Sequence, residues 1–287
     1  MTRPSTMPAP FDAFFLPVAG EQAGQRFCIF HPAHGSTARG AILYVHPFAE
    51  EMNKSRRMAA LQSRALAQAG FAVLQVDLLG CGDSSGDFGD ASWQSWVDDV
   101  LRGCQWLGER VQAPLWLWGL RTGCLLAVDA AKQLPACPNF LFWAPTVSGK
   151  QVLQQFLRLK AASELASGNA KTILDGLRSE LAQGRSVEIA GYPLAPDLAH
   201  GLAQSALHPP TLTGASPRAE WFEVSTRHDA SLSPVNANAL AQWTESGWSA
   251  ARGHVVLGPA FWQTSEIEDA PVLIDATLAA LWDIDTV

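Results

Sequence analysis

Short apolar runs alternate along the chain with longer segments in which apolar residues recur every three or four positions. The short runs have the length of buried strands, and the longer segments have the period of helices that cover one face of a sheet. The strand candidates are residues 26–31, 41–46, 71–77, 115–120, 140–143, 220–224 and 254–257, and the helix candidates among them are residues 54–69, 93–110, 122–133 and 234–244. This alternation predicts an α/β fold with a mostly parallel sheet flanked by helices.

The alternation stops between residues 146 and 210. Three helical segments follow one another there, at residues 152–166, 171–182 and 196–207, and we expect no strand between them. The segment ends at His208-Pro209-Pro210, a sequence that stops regular structure. We therefore predict a helical cap over residues 146–210, inserted between an N-terminal part of the core at 1–145 and a C-terminal part at 211–287.

Composition and charge exclude several classes of protein. The 287 residues include 20 Lys and Arg against 27 Asp and Glu, so a formal net charge of −7 argues against nucleic acid as a partner. The most apolar stretch, residues 114–131, contains Arg121 and Asp129, so no membrane span is expected. Because the first residues lack the apolar core of a signal peptide, we expect a cytoplasmic protein. Only 16% of the residues are charged, which leaves open that a homodimer covers part of the surface.

The cysteines and histidines point to neither disulfides nor metal. The five cysteines have no Cys-x-x-Cys spacing, and four of them have apolar neighbours, as reduced core cysteines do. The histidines are scattered without the spacing of metal ligands. We expect no cofactor and no metal site.

In a parallel sheet, ligands bind beyond the carboxyl ends of the strands, so the loops there are where a site is expected. The loop of residues 46–53 begins with His46 and contains Phe48, whose backbone N–H is a candidate donor to a negatively charged oxygen. Glu50 and Glu51 follow it. The alternative is an ordinary turn in which both carboxylates are solvated.

The loop of residues 77–86 contains three glycines and two serines after a strand-ending aspartate. This composition favours a tight structural loop, because no helix opens there with the spacing of a nucleotide site. Ser84 is a candidate nucleophile as well, although its neighbour Asp83 is no activating base.

The segment Gly119-Leu120-Arg121-Thr122-Gly123 joins a strand to a helix by a sharp turn. In this context one side chain is presented at the top of the sheet, and here that side chain belongs to Arg121. A guanidinium stays protonated and has no lone pair, so it binds anions and does not attack a carbonyl group. Two roles stay open: contact with an anionic ligand, or an ion pair with a carboxylate, for which the candidates are Glu50, Glu51, Asp83, Asp229 and Glu266.

Two further residues are candidates for acid–base chemistry. Asp229 follows the strand at 220–224, where a catalytic acid is expected, although it is equally able to cap the turn. His254 comes later in the chain, which is the order that an acid and its base require. It lies at the start of the last strand, so the alternative is a histidine satisfied within the sheet.

Taken together, these motifs resemble the α/β hydrolase superfamily over about residues 26–281. The segments at 46–57, 118–121 and 258–264 resemble the second of the two hydrolases associated with exosortase A systems, which accompany bacterial exopolysaccharide and protein-sorting loci. The resemblance implies a hydrolase with partners among the proteins of such a system. It also implies a pocket beyond the sheet that includes His46, Glu50, Glu51, Ser84 and Trp262. The expected nucleophile and base positions, however, hold Arg121 and the run Phe261-Trp262-Gln263.

Two functions follow. The first is a non-standard hydrolase or transferase that acts on an anionic acyl, peptide or glycan-linked substrate. Arg121 would hold this substrate, the amides of Phe48 and Thr122 would act as donors, and Asp229 and His254 would act as acid and base. The second is an inactive relative of such an enzyme that binds a small anionic ligand or a partner protein through Arg121.

Overall fold

The strands form a central sheet in the computed structural model, which describes residues 11–20, 22–163, 170–212 and 217–282. The sheet has eight strands, and a separate hairpin has two. The strands are β1 (Asp12–Val18), β2 (Gly24–His31), β3 (Gly40–Val45), β4 (Phe71–Val76), β5 (Leu115–Leu120), β6 (Asn139–Trp143), β7 (Val187–Ile189), β8 (Tyr192–Leu194), β9 (Ala219–Ser225) and β10 (Ala251–Leu257).

The strand order in the sheet is β1-β2-β4-β3-β5-β6-β9-β10. The pairs β1–β2 and β2–β4 are antiparallel, and every later pair is parallel. All seven predicted strands are present, because each is an apolar run bounded by turn residues. The prediction of a mostly parallel α/β fold is confirmed.

Helices cover both faces of the sheet. They are α1 (Glu50–Gln68), α2 (Trp93–Gly108), α3 (Gly123–Ala131), α4 (Gly149–Ser163), α5 (Ala170–Ala182), α6 (Pro196–Gln204), α7 (Pro234–Glu245) and α8 (Pro271–Trp282). One apolar core lies between the sheet and α2 and α3, and the other lies between the sheet and α1 and α8. This three-layer arrangement buries both faces of the parallel strands, as such sheets require.

The segment between β6 and β9 differs from the prediction in one respect. We expected only helices there, but β7 and β8 form an antiparallel hairpin between α5 and α6. The turn consists of Ala190 and Gly191, both with positive φ (50° and 84°), as two-residue hairpin turns require. Strands of three residues are too short to produce a period in the sequence, which is why the pattern missed them. The division of the chain at 145 and 210 stays a prediction, and the end of the predicted helix at 152–166 falls outside the described residues.

Two more elements were missed. β1 is an edge strand that alternates between exposed and half-buried residues, and it contains a proline. α8 is apolar around most of its circumference, so it lacks the one-sided pattern by which surface helices are recognised. Among the described residues, no helix has the length and apolar character needed to cross a membrane.

Candidate active site

The turn between β5 and α3 holds Arg121 in the left-handed region, with φ of 54°. Two glycines allow the close backbone contacts of this turn. A Cβ atom on Gly119 would lie 2.6 Å from the Cα of Cys124, and one on Gly123 would collide with the backbone carbonyl oxygen of Val45. The N–H of Arg121 donates to the carbonyl of Trp143 over 3.0 Å, which fixes the turn to the neighbouring strand. The backbone therefore presents one side chain beyond the carboxyl end of the sheet, as the sequence predicted.

The guanidinium of Arg121 is held from three directions. Its Nε lies 3.4 Å from Oε1 of Glu51, and its Nη1 donates to the carbonyl of Ala144 over 3.3 Å. The group also lies over the ring of Trp262, at 5.4 Å from the ring centroid. The predicted ion pair is thus formed, and Glu51 is its partner among the five carboxylates considered. The side chain of Arg121 remains 19% exposed, so the pair leaves part of the guanidinium accessible from the cavity that it lines.

Glu51 lies in the first turn of α1, beside this cation. Burial raises the pKa of its carboxyl group, and the charges of Arg121 and Lys54 together with hydrogen bonds from Arg121 and Gln263 act in the opposite direction. The net direction is upward because desolvation is the largest of these effects. The site therefore contains a carboxylate whose charge is only partly compensated.

A cavity of about 310 Å³ opens beside this ion pair. Its walls include the predicted residues Phe48, Glu50, Glu51, Thr122 and Trp262. The sequence missed the other side of the cavity, which the segment between β6 and β9 supplies with Val152, Gln155, Phe156, Leu159, Ala190 and Tyr192. Phe156 contacts Phe48 edge to face, with centroids 5.0 Å apart. The sequence period of α4 predicted an apolar face, but it did not indicate that this face lines a cavity.

The amides of Phe48 and Thr122 lie on two neighbouring turns of this cavity. Within the described residues, neither N–H donates a backbone hydrogen bond. The next residue after Phe48 is Ala49, whose φ of 50° and ψ of −128° make a sharp bend before α1. Amides without a backbone acceptor among the described residues, on turns that line one cavity, are candidate donors to a negatively charged oxygen. Their role as donors stays a prediction.

The predicted acid, Asp229, does not face the cavity. Its carboxylate is paired with Arg227 over 3.3 Å, and the two side chains are 80% and 73% exposed. Asp229 follows β9 as expected, but a local pair of surface charges at i and i+2 directs the carboxylate outward. The prediction that Asp229 acts in the site is therefore corrected.

The predicted base, His254, is held within the sheet. It lies in β10 opposite Phe222 of β9, and its ring stacks on that phenylalanine at 4.6 Å. Its Nε2 lies 2.8 Å from Oε2 of Glu220, and among the described residues no ion pair joins His254 to Asp229. The predicted acid–base pair is not formed, because strand alternation places Glu220 and Phe222 on the same face of the sheet as His254.

The loop after β10 places other residues where a base was expected. Phe261 and Trp262 are buried in it, and Trp262 packs against Arg121. Gln263 lines the cavity and donates to Glu51. The sequence pointed to this loop and to Trp262, but it gave no signal that the side chain of Gln263 reaches the carboxylate.

His46 and Ser84 lie outside the cavity, so their assignment to the pocket is corrected. The Nδ1 of His46 is 2.8 Å from the carbonyl of Pro47, and its Nε2 accepts from the N–H of Leu78 over 3.3 Å. A carbonyl only accepts, so we assign the proton to Nδ1. Burial lowers the pKa of His46, in keeping with a neutral ring that ties the loop after β3 to the loop after β4.

Ser84 has a structural role. Its hydroxyl donates to the carbonyl of Asp77 over 2.5 Å and accepts from the N–H of Phe27 over 2.9 Å. Asp77 itself accepts from Arg56 and from the N–H of Asp83. A hydroxyl committed to two backbone partners is not activated as a nucleophile.

Comparison with known proteins identifies a family of this fold. A protein-family profile described as "Serine aminopeptidase, S33" matches residues 36–187, more than half of the chain. Human protein ABHD12B is 29% identical over 166 residues, which are 56% of this chain and 44% of the human protein. The chain thus covers less than half the length of this relative.

Solved structures with low sequence identity share the fold. A carboxyl esterase from Bacillus coagulans, in complex with glycerol, has a TM-score of 0.65 at 13% identity, covering 97% of this chain and 99% of the esterase. A soluble variant of monoglyceride lipase from Saccharomyces cerevisiae, in complex with a substrate analogue, has a TM-score of 0.61 at 13% identity, covering 98% and 97%. At this identity the likeness establishes the fold alone.

Proposed function

The chain belongs to the serine aminopeptidase S33 family within the α/β hydrolase superfamily, and we propose that it uses this fold to bind an organic anion without serine-based hydrolysis. One observation carries the proposal. The residue at the apex of the turn between β5 and α3 is Arg121, which is ion-paired to Glu51. A permanently charged guanidinium cannot form the covalent acyl intermediate that a serine forms.

The residues around Arg121 support an anion as the ligand. Phe48 and Thr122 line the same cavity, and their amides have no backbone acceptor among the described residues. A carboxylate placed among these three groups would gain charge-assisted hydrogen bonds, which are shorter and stronger than neutral ones. It would also compete with Glu51 for the guanidinium.

The remaining walls suggest that the anion carries an apolar group. Phe48, Phe156 and Tyr192 line the cavity together with aliphatic side chains of α4. Burial of an aromatic ring or short alkyl chain against such walls is favourable by about 25 cal/mol for each Å² removed from water. We therefore propose an amphipathic carboxylate as the ligand.

A second function rests on a different observation, the raised pKa of Glu51. A carboxyl group that titrates closer to neutrality is a better general base, so Glu51 would activate water against a substrate held by Arg121. With Glu51 as its base, the protein would be a non-standard hydrolase or transferase that acts on an acyl, peptide or glycan-linked anion. Turnover of a phenyl ester that disappears in Glu51→Gln would support it, whereas the binding proposal expects no turnover in either protein.

The resemblance to the second hydrolase of exosortase A systems adds a biological setting. We propose on that basis a cytoplasmic protein whose partners belong to an exopolysaccharide or protein-sorting locus. A homodimer is a further candidate assembly, supported by the low fraction of charged residues.

The experiment that tests the binding proposal is calorimetric titration of the protein with 4-phenylbutyrate, an apolar group joined to a carboxylate. We expect Arg121→Lys to weaken binding about tenfold, because lysine keeps the charge but loses the planar fork. Arg121→Ala should weaken it further. The matched control is Arg57→Ala, since Arg57 pairs with Asp269 at the surface and does not line the cavity. Binding that is equally strong in Arg121→Ala and wild type would overturn the proposal.

A further inference from the structure

A second cavity adjoins the first on the other side of Arg121. It has a volume of about 200 Å³ and lies where β6 leads into α4 and where α7 begins. Arg121, Val152 and Gln155 line both cavities. A ligand held at the guanidinium is therefore able to extend in two directions.

The two cavities differ in chemistry. The first is lined by aromatic and aliphatic side chains beside its charged pairs, as described above. The second is lined, beside Pro145 and three valines, by hydroxyl and amide side chains, which belong to Thr146, Ser148, Gln151, Gln155, Ser233 and Asn236. Among the described residues that line it, Arg121 is the one that carries a charge. Uncharged groups that both donate and accept are suited to ligand hydroxyls, which do the same.

Several of these polar groups are fixed in place. Glu223 accepts from the hydroxyl of Ser233 over 3.0 Å and from Nδ2 of Asn236 over 2.8 Å through the same oxygen, Oε2. The carboxylate of Glu223 thus fixes the orientation of the Asn236 amide, whose Nδ2 donates to it. Oδ1 of Asn236 has no protein donor among the described residues. An oriented acceptor of this kind lowers the entropic cost of binding a hydroxyl group.

Other groups of the cavity are without partners. The hydroxyl oxygen of Thr146 is inaccessible to solvent, and within the part of the chain that the structure describes it has no hydrogen-bond partner. The side-chain amides of Gln151 and Gln155 have none there either, and both side chains are exposed. Buried polar atoms usually have a partner, so the Thr146 hydroxyl is an exception in the wall of this cavity, and the two exposed amides are the groups that a ligand hydroxyl reaches.

We propose that this second cavity binds the hydroxyl groups of a sugar acid, a deduction that rests on the proposed binding of an anion at Arg121. The ligand class is a hexuronic acid joined at its anomeric carbon to an apolar group. In such a molecule the carboxylate and the apolar group flank the ring oxygen, and the ring hydroxyls lie on the opposite side of the ring. The hydroxyls would then occupy the polar cavity, the carboxylate would contact Arg121, and the apolar group would occupy the first cavity.

The test uses three small molecules that share a phenyl group. Phenyl β-D-glucuronide carries the carboxylate and the hydroxyls, 4-phenylbutyrate carries the carboxylate alone, and phenyl β-D-glucoside carries the hydroxyls alone. Each is titrated by calorimetry into wild type, Gln151→Ala and Gln154→Ala. Gln151 is exposed and lines the polar cavity, so its replacement should leave the fold intact. Gln154 is the matched control, because it has the same side chain on the same helix and lines neither cavity.

We expect the loss of one neutral hydrogen bond in Gln151→Ala to weaken phenyl glucuronide about fivefold. The same variant should leave 4-phenylbutyrate within about twofold of wild type, and Gln154→Ala should leave both unchanged. The glucoside should bind more weakly than the glucuronide. Two results would overturn the sugar-acid proposal alone. In the first, wild-type protein binds 4-phenylbutyrate but not the glucuronide; in the second, Gln151→Ala leaves the affinity for the glucuronide unchanged. Absence of binding by both carboxylates instead overturns the proposed function with it.

Discussion

The loops beyond the carboxyl ends of the strands form two groups that differ in how they are held. The N-terminal side consists of the loops at 46–49 and 77–86 and the turn at 119–123, and buried groups hold it from below. The C-terminal side consists of the loops at 226–233 and 258–264. There Asp229 is exposed and turned toward Arg227, while Trp262 and Gln263 lie where the sequence predicted a base.

The difference shows which parts of a catalytic scaffold depend on one another. The N-terminal side carries the two amides that we propose as donors, and the turns that hold these amides also join strands to helices. A proton relay on the C-terminal side would need an acidic and a basic side chain in its two loops. Those loops accept other residues without loss of the fold. Under the proposed function, the fold keeps an anion-binding geometry without the chemistry of proton transfer.

The largest expected effect comes from a matched pair of substitutions, one on each side. Asp99 lies under the loop at 77–86, where it accepts from Arg26 over 2.7 Å and from the N–H of Leu79 over 2.8 Å. The Arg26 and Asp99 side chains are fully buried. Because Asp99→Asn leaves the buried guanidinium uncompensated, we expect it to lower the free energy of unfolding by about 3 to 5 kcal/mol. Urea denaturation measures it.

Asp229→Asn is the control for this comparison. The Asp229 carboxylate is solvated and its ion pair is exposed, so the free energy of unfolding should change by less than about 0.5 kcal/mol. Equal losses in the two variants would show that the loops on the C-terminal side are held as firmly as those on the N-terminal side.

The intermediate effect concerns pH. The pKa of Glu51 is raised in the folded protein, so between the ordinary pKa of glutamate and the raised value the folded state binds a proton that the unfolded chain does not. The contribution of this group to stability therefore decreases as pH rises through that window. Glu51→Gln removes the titration, and we expect it to be more stable than wild type at neutral pH by up to about 1 kcal/mol.

This gain should shrink as the pH is lowered toward about 4, where the wild-type carboxyl group is protonated too. Thermal or urea unfolding at a series of pH values measures the difference. The same variant frees Arg121, so 4-phenylbutyrate should bind to it more tightly at neutral pH. A stability difference that does not vary with pH would mean that Glu51 is not the group that titrates.

The smallest expected effect is none at all. Arg121→Ser introduces a hydroxyl at the apex of the turn, but His254 stays paired with Glu220 in the sheet. A serine without a base has no activated oxygen, so we expect no adduct by intact mass after treatment with a fluorophosphonate, in this variant as in wild type. A serine esterase of the same fold is the positive control. An adduct on the introduced serine would reveal a base in the cavity, with Glu51 as the first candidate.

The sequence was sufficient for the sheet because its strands are buried on both faces. Continuous apolar runs such as those of β3 and β5 are recognisable without any neighbour. It was insufficient for β7 and β8, since three residues do not establish a period, and for α8, whose apolar residues surround the helix. The formation of β7, β8 and α8 depends on the residues that pack against them.

The sequence predicted the positions of residues correctly where the backbone alone decides them. Phe48, Arg121 and Thr122 follow parallel strands directly, so the sheet brings them to one edge. It failed for Asp229 and His254, whose directions depend on local partners, Arg227 and Glu220, that spacing does not reveal. The sequence also gave no indication of the second cavity, which exists only where α4, α7 and β6 meet.

The left-handed backbone at Arg121 has a consequence for how this protein responds to selection. Any residue other than glycine is strained there by about 1 kcal/mol, so replacement of Arg121 by glycine would relieve the turn while removing the cation. The same replacement would leave the half-buried carboxylate of Glu51 without its cation, so the strain of the turn and the ion pair make opposite demands on one position. Selection for survival at high temperature would therefore weigh a relaxed backbone against a lost ion pair at this residue, whatever a ligand requires.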